Sequence, residues 1–213
     1  MTPVIIQAVR ERENFVGDLT TVLPHAQVVW DEKTYQTGLG VLPNGGSPIR
    51  TFLRALRMAG EGPAIYLEDD AELCGSFEEY ADLEIRERPN SVIQFFWPAA
   101  RKFKGKDRMD LNSRSHWDTR PWSANICFYL PARVSACVLE FAPSWMAKTK
   151  KAAKWDSYEG HHGMDQDTLV ADWLIAFRLR YWICYPSLAD HRVSVSTINP
   201  HRPNTRRAVR FIG

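Results

Sequence analysis

With 213 residues, 45% of them hydrophobic and 24% charged, the chain has the composition of one globular domain with a sizeable core, which excludes a disordered or fibrous protein. The net charge of +2 is too mild to identify a partner, but its distribution is uneven: basic residues gather in 101–108, 148–154 and 201–210, while acids concentrate between Glu61 and Glu87. No apolar stretch reaches the roughly 18 residues of a spanning helix, and the amino-terminal MTPVIIQAVRERE has no basic region followed by a long apolar core, so the expectation is a soluble cytoplasmic protein with no membrane span and no obligate protein partner.

"PVIIQAV" (3–9) reads as a strand, "ERENFVGDLTTVL" as a helix and "AQVVWDE" (26–32) as a second strand. "LPNGGSP" is a loop by its Gly, Pro and Asn content. "IRTFLRALRMAG" is helical, with Ile49, Phe52, Leu53 and Leu56 close to one stripe and Gly60 as its stop. The strand "AIYLEDD" (64–70), a helix around Phe77 to Ile85 and the strand "SVIQFFW" (91–97) follow.

Residues 98–125 are polar, basic and aromatic without a period, and are expected to form a long loop. Beyond them "NICFYLP" reads as a strand, "ARVSACVLEFA" as a helix, "KTKKAAKWDSYEGHHG" as an exposed connection, "DTLVADWLIAFRL" as a helix and "RYWICYPSL" as a last strand. Strands that are apolar on both faces and alternate with helices predict an α/β, Rossmann-like single domain, a mainly parallel sheet flanked by helices. Cys74, Cys127, Cys137 and Cys184 lie far apart and read as reduced core residues.

Three consecutive acids, Glu68, Asp69 and Asp70, end an apolar strand, although like charges this close repel unless something positive sits among them. Strand alternation would send Glu68 and Asp70 to one side and Asp69 to the other, so an acid-any-acid pair reaches one cation or its water shell. Magnesium and manganese favour such oxygen ligands and are often completed by substrate phosphates. The plainer alternative is that the acids cap a following helix. "PSLADHR" (186–192) adds Asp190 and His191 after a strand, either surface residues or a route for an imidazole to the same cation. Asp165 and Asp167 stand before an apolar helix, where each is an N-cap or a general base in a cleft.

Together "AIYLEDDAEL", "GMDQDTLVADWL" and "YPSLADHR" resemble the metal-dependent glycosyltransferases of the A-type fold, especially small bacterial and phage-type members with an LEDD segment and a late PSL-x-x-H segment. The resemblance runs from Pro3 to about Ser196. It implies a catalytic domain over 1–196, a basic tail over 197–213, and, for a phage-encoded member, a place in the host cytoplasm. It further implies Mn2+ or Mg2+ and a nucleoside-diphosphate sugar, a UDP-sugar by preference. Asp70 and His191 would bind the metal, with Glu68 or Asp69 contacting ribose or metal-bound water. Asp31 would meet the base and Arg10 would lie near the nucleotide. Asp165 would match the acid that activates the acceptor, while "DQD" also resembles a segment of retaining members, which leaves the stereochemistry open.

The irregular stretches 98–125, with Trp97 just before it, and 143–163 carry Trp117, Trp122, Trp145 and Trp155 among lysines, a combination that can stack unpaired bases and hold phosphates or, equally, stack sugar rings. With the basic tail added, the favoured acceptor is a 5-hydroxymethylpyrimidine in phage DNA, and the runner-up a cell-surface saccharide. A nucleotidyltransferase would share the carboxylates, but no glycine-rich phosphate loop is found early in the chain. A non-catalytic DNA-binding module would leave the acid triplet unexplained.

Overall fold

A computed structural model describes residues 1–34, 46–97, 115–118, 126–152, 166–192, 194–195, 203–204, 207–208 and 211–212. Its central sheet contains β1 (Val4–Ala8), β2 (Gln27–Trp30), β3 (Ala64–Glu68), β5 (Val92–Gln94), β6 (Ser115–Asp118), β7 (Cys127–Leu130) and β8 (Tyr181–Cys184), in the order β2-β1-β3-β7-β5-β8-β6. β1, β2, β3, β5 and β8 run one way, and β7 and β6 run against them, so the sheet is mainly parallel.

Strand alternation sorts the core into two layers. Ile5, Ala64, Tyr66 and Phe128 face α2 (Pro48–Ala59), α4 (Val134–Ala152) and α5 (Gln166–Ala176). Val4, Ile6, Ile65, Leu67 and Cys127 face α1 (Glu13–Val22) and α3 (Phe77–Glu87). This is the expected α/β, Rossmann-like domain, with helices covering both faces of strands that therefore read as continuous apolar runs. In the first layer Tyr66 stacks on Phe128 at 5.2 Å and Phe52 meets both edge-on. Tyr66 keeps its polar tip satisfied by Ser135 Oγ at 2.8 Å, and burial pushes its pKa up to about 12.

Three expectations need correction. The stretch 98–125 is not all loop: Ser115–Asp118 pairs antiparallel with β8. The lysine run is not wholly a connection, because α4 continues through Pro143 to Ala152; a proline followed by lysines reads as a helix exit in sequence, yet here the helix tolerates the missing N–H. Cys137 is not a core residue but exposed on α4, while Cys74, Cys127 and Cys184 are buried, and desolvation raises the Cys127 thiol well above its ordinary pKa. Titrating the native protein with a thiol reagent is therefore expected to label one cysteine quickly and all four only after denaturation; fast labelling of several would contradict this packing. Among the described residues no helix is long and apolar enough to cross a membrane.

Candidate metal centre

The site lies beyond the carboxyl end of β3, the place where open parallel sheets bind ligands. β3 ends at Glu68, Asp69 and Asp70 form a turn, and a short strand β4 (Ala71–Leu73) leaves in a new direction. The helix-capping alternative for these acids thus fails, since a strand and not a helix follows them. β4 pairs antiparallel with β9 (Ala189–His191), matching Ala71 with His191, while the Arg192 N–H donates to the Asp70 carbonyl at 2.8 Å. This two-stranded ribbon delivers His191 to the acid turn.

Glu68, Asp70 and His191 each offer a ligand atom, all within 4.8 Å of one another. Asp70 is 2% exposed and His191 1%. His191 Nδ1 lies 2.7 Å from the Arg192 carbonyl, which can only accept, so that nitrogen carries a proton; the other ring nitrogen, Nε2, faces Asp70 Oδ2 at 3.3 Å. Anchoring one imidazole nitrogen on a backbone carbonyl is the usual support for a histidine that ligates through the other. Asp70 Oδ1 is buried with no hydrogen-bond partner. A buried, unpartnered carboxylate oxygen beside a second carboxylate and an imidazole nitrogen is a donor set that a divalent cation fits.

Part of the charge is balanced from within. Arg12, in the single 3-10 turn Arg10–Arg12 after β1, donates from Nη1 to Asp69 Oδ1 at 2.8 Å and to Asp70 Oδ2 at 2.5 Å. The neighbouring carboxylates hold the Arg12 guanidinium above its ordinary pKa despite its burial. Asp69 also accepts from the Val9 N–H at 2.8 Å, which ties the acid turn to the end of β1; desolvation still raises its pKa, with Arg12 opposing. Among the described residues three carboxylates face one guanidinium and one imidazole, an excess of acid that a divalent ion would offset. Because Asp69 and Asp70 sit in a turn, they share Arg12 and do not alternate as strand residues would.

The other candidates lie around this centre. Arg10 is exposed, 3.5 Å from Glu13 and with its guanidinium 4.1 Å above the Trp30 ring. Asp31 is buried and accepts from the Ser47 N–H at 2.8 Å and the Lys33 N–H at 3.3 Å, pinning the start of α2 to the end of β2. Asp167 is half-buried in the first turn of α5, directly after Gln166, whose side-chain amide donates to Glu68 Oε1. Asp165 lies outside the described residues, as do Trp122 and Trp155. Trp97 and Trp145 are buried, the latter donating to Asp172 Oδ2 at 2.7 Å, so neither is available as a stacking platform.

Arg12 and Gln166 escaped the sequence reading. Arg12 sits in "RERE", which looks like any solvated charge run, and Gln166 is flanked by two acids that carry the more obvious chemistry. Compared with protein-family models and with curated proteins, the sequence matches none.

Proposed function

We propose that the protein is a metal-dependent glycosyltransferase that moves a sugar from a nucleoside-diphosphate sugar to an acceptor hydroxyl. The observation that carries this reading is the Glu68, Asp70 and His191 cluster, with its partnerless buried Asp70 oxygen, at the carboxyl ends of parallel strands. A divalent cation held there, manganese or magnesium, would stabilise the negative charge that develops on the leaving diphosphate.

The chain's own groups divide the remaining work. Arg12 holds the paired acids against the end of β1, and the Gln166 amide orients Glu68. Arg10, an exposed cation at the ends of β1 and β2, is suited to the nucleotide phosphates. Asp167, in the first turn of α5, or Asp165 would take the proton of the attacking hydroxyl.

For the acceptor we favour a 5-hydroxymethylpyrimidine in DNA. α4 and α5 run antiparallel, since Phe141 meets Phe177 at 6.0 Å and Trp145 bonds Asp172, so the lysine-bearing end of α4 runs toward the end of α5 that touches Glu68. With Lys148 exposed on that end of α4, a polyanionic acceptor is favoured over a neutral saccharide.

The test is a mass-spectrometric assay with manganese, a panel of UDP-sugars, and DNA with or without 5-hydroxymethylpyrimidines, repeated with a chelator. A sugar-sized gain on the modified base, lost with the chelator, is expected. Metal-dependent donor hydrolysis without DNA modification would retain the transferase and overturn the DNA acceptor; no donor turnover with any sugar would overturn the reading itself.

A further inference from the structure

Asp190 precedes His191 on β9, is 2% exposed, and is bound on every side. Its Oδ1 accepts from the His191 N–H at 2.8 Å and from the Ala208 N–H at 2.7 Å, and its Oδ2 lies 2.8 Å from Arg207 Nη2. Arg207 Nη1 donates to the His191 carbonyl at 3.1 Å and to Glu72 Oε2 at 3.2 Å. Farther along, Phe211 bridges to Ser187 and packs against the core, and the Ile212 N–H donates to the Ser187 carbonyl at 3.4 Å.

Both backbone polar groups of His191 are therefore held by one ion pair: its N–H by Asp190, its carbonyl by Arg207. These two bonds fix the peptide planes on either side of the His191 Cα and so the direction in which the imidazole leaves the ribbon. We infer that Arg207 and Asp190 are positioning residues for His191, which makes the carboxyl-terminal segment a working part of the metal centre and not a loose basic tail. The inference rests on the metal reading given above. If Arg207 is removed, a buried carboxylate loses its only described cation; Asp190 then turns toward water, and the His191 and Ala208 N–H groups lose their common acceptor.

Manganese alone is titrated into the full chain, free ion being read by electron paramagnetic resonance, for the wild type, Arg207→Gln, Arg207→Lys and Glu72→Gln, with each protein's Tm measured in metal-free buffer. Outer supports of metal ligands typically change affinity by about 10–100-fold, so Arg207→Gln is expected to weaken binding at least about tenfold. Arg207→Lys should recover part of this loss, since an ammonium restores the charge opposite Asp190 without the fork that also reaches the His191 carbonyl. Glu72→Gln removes only the half-exposed arm and is expected to bind as the wild type does.

Wild-type affinity in Arg207→Gln, whatever its Tm, would overturn the inference and reduce the pair to a clasp for the tail. Should Arg207→Gln fail to fold, Asp190→Asn is read in its place against the same two outcomes: its amide oxygen still serves both N–H groups and so keeps the fold, while its NH2 faces Arg207 and breaks the pair that holds that guanidinium on the His191 carbonyl. A wild type that binds no manganese would overturn the metal reading and the inference together, and the wild-type curve separates that failure from the other.

Discussion

Asp70→Ala is expected to abolish manganese-dependent sugar transfer while leaving the fold as stable as before, or more so. Metal stabilisation of a leaving diphosphate is worth several kcal/mol, and at about 1.4 kcal/mol per tenfold in rate its loss is at least a hundredfold or so. Stability goes the other way because Asp70 is a liability to the metal-free fold: it is buried, repels Asp69 and keeps an oxygen without a partner. Arg12 retains Asp69 after the change. Donor turnover and a melting curve in chelator decide the matter; full activity, or a fall in Tm of many degrees, would contradict the assignment.

Arg12→Gln is expected to be the most destabilising change at the site. The Arg12 side chain is 11% exposed and its guanidinium bridges two carboxylates that are themselves buried, so its removal leaves an uncompensated pair. Breaking a buried ion pair from one side costs about 3–5 kcal/mol, which for a domain of this size lowers Tm by roughly 6–20 °C. Manganese should restore part of that loss, and more of it than it adds to the wild type, because the ion then takes the place of the guanidinium among the three acids. An unchanged Tm in metal-free buffer would mean that the bridge is not formed, and equal gains from manganese in both proteins would mean that the ion does not sit among these carboxylates.

The strands that carry the core were legible because burial on both faces writes itself as unbroken apolar runs, as in Ile65 to Leu67 and Ile126 to Leu130. Strand direction was not: nothing in "CFYL" tells that β7 runs against its neighbours. β4 and β6 were invisible for a different reason. They are short, and β6 is polar, so neither has enough residues to display a period.

The site divides in the same way. The acid triplet stood out because three charges after a buried strand need a counter-charge, whereas spacing alone left His191 a surface residue or a ligand, and only the PSL-x-x-H resemblance pointed it at the metal. The countercharge itself was half missed: Arg12 supplies part of what a cation alone had been expected to supply. Its role depends on a long side chain crossing from the end of β1 to the turn after β3, a distance that sequence spacing does not encode. The Arg207–Asp190 pair was hidden for the same reason, since a basic tail looks solvent-bound until the chain folds back on itself.

The β4–β9 ribbon has a consequence for how the protein comes into being. Ala71 finds His191 only across most of the chain's length, so the ligand set closes a very long loop. A nascent chain that has emerged through β7 already owns β1, β3 and the aromatic cluster of Tyr66 and Phe128, yet it has acids without their imidazole. On the proposed metal reading, ion capture would wait until β9 has been made and paired.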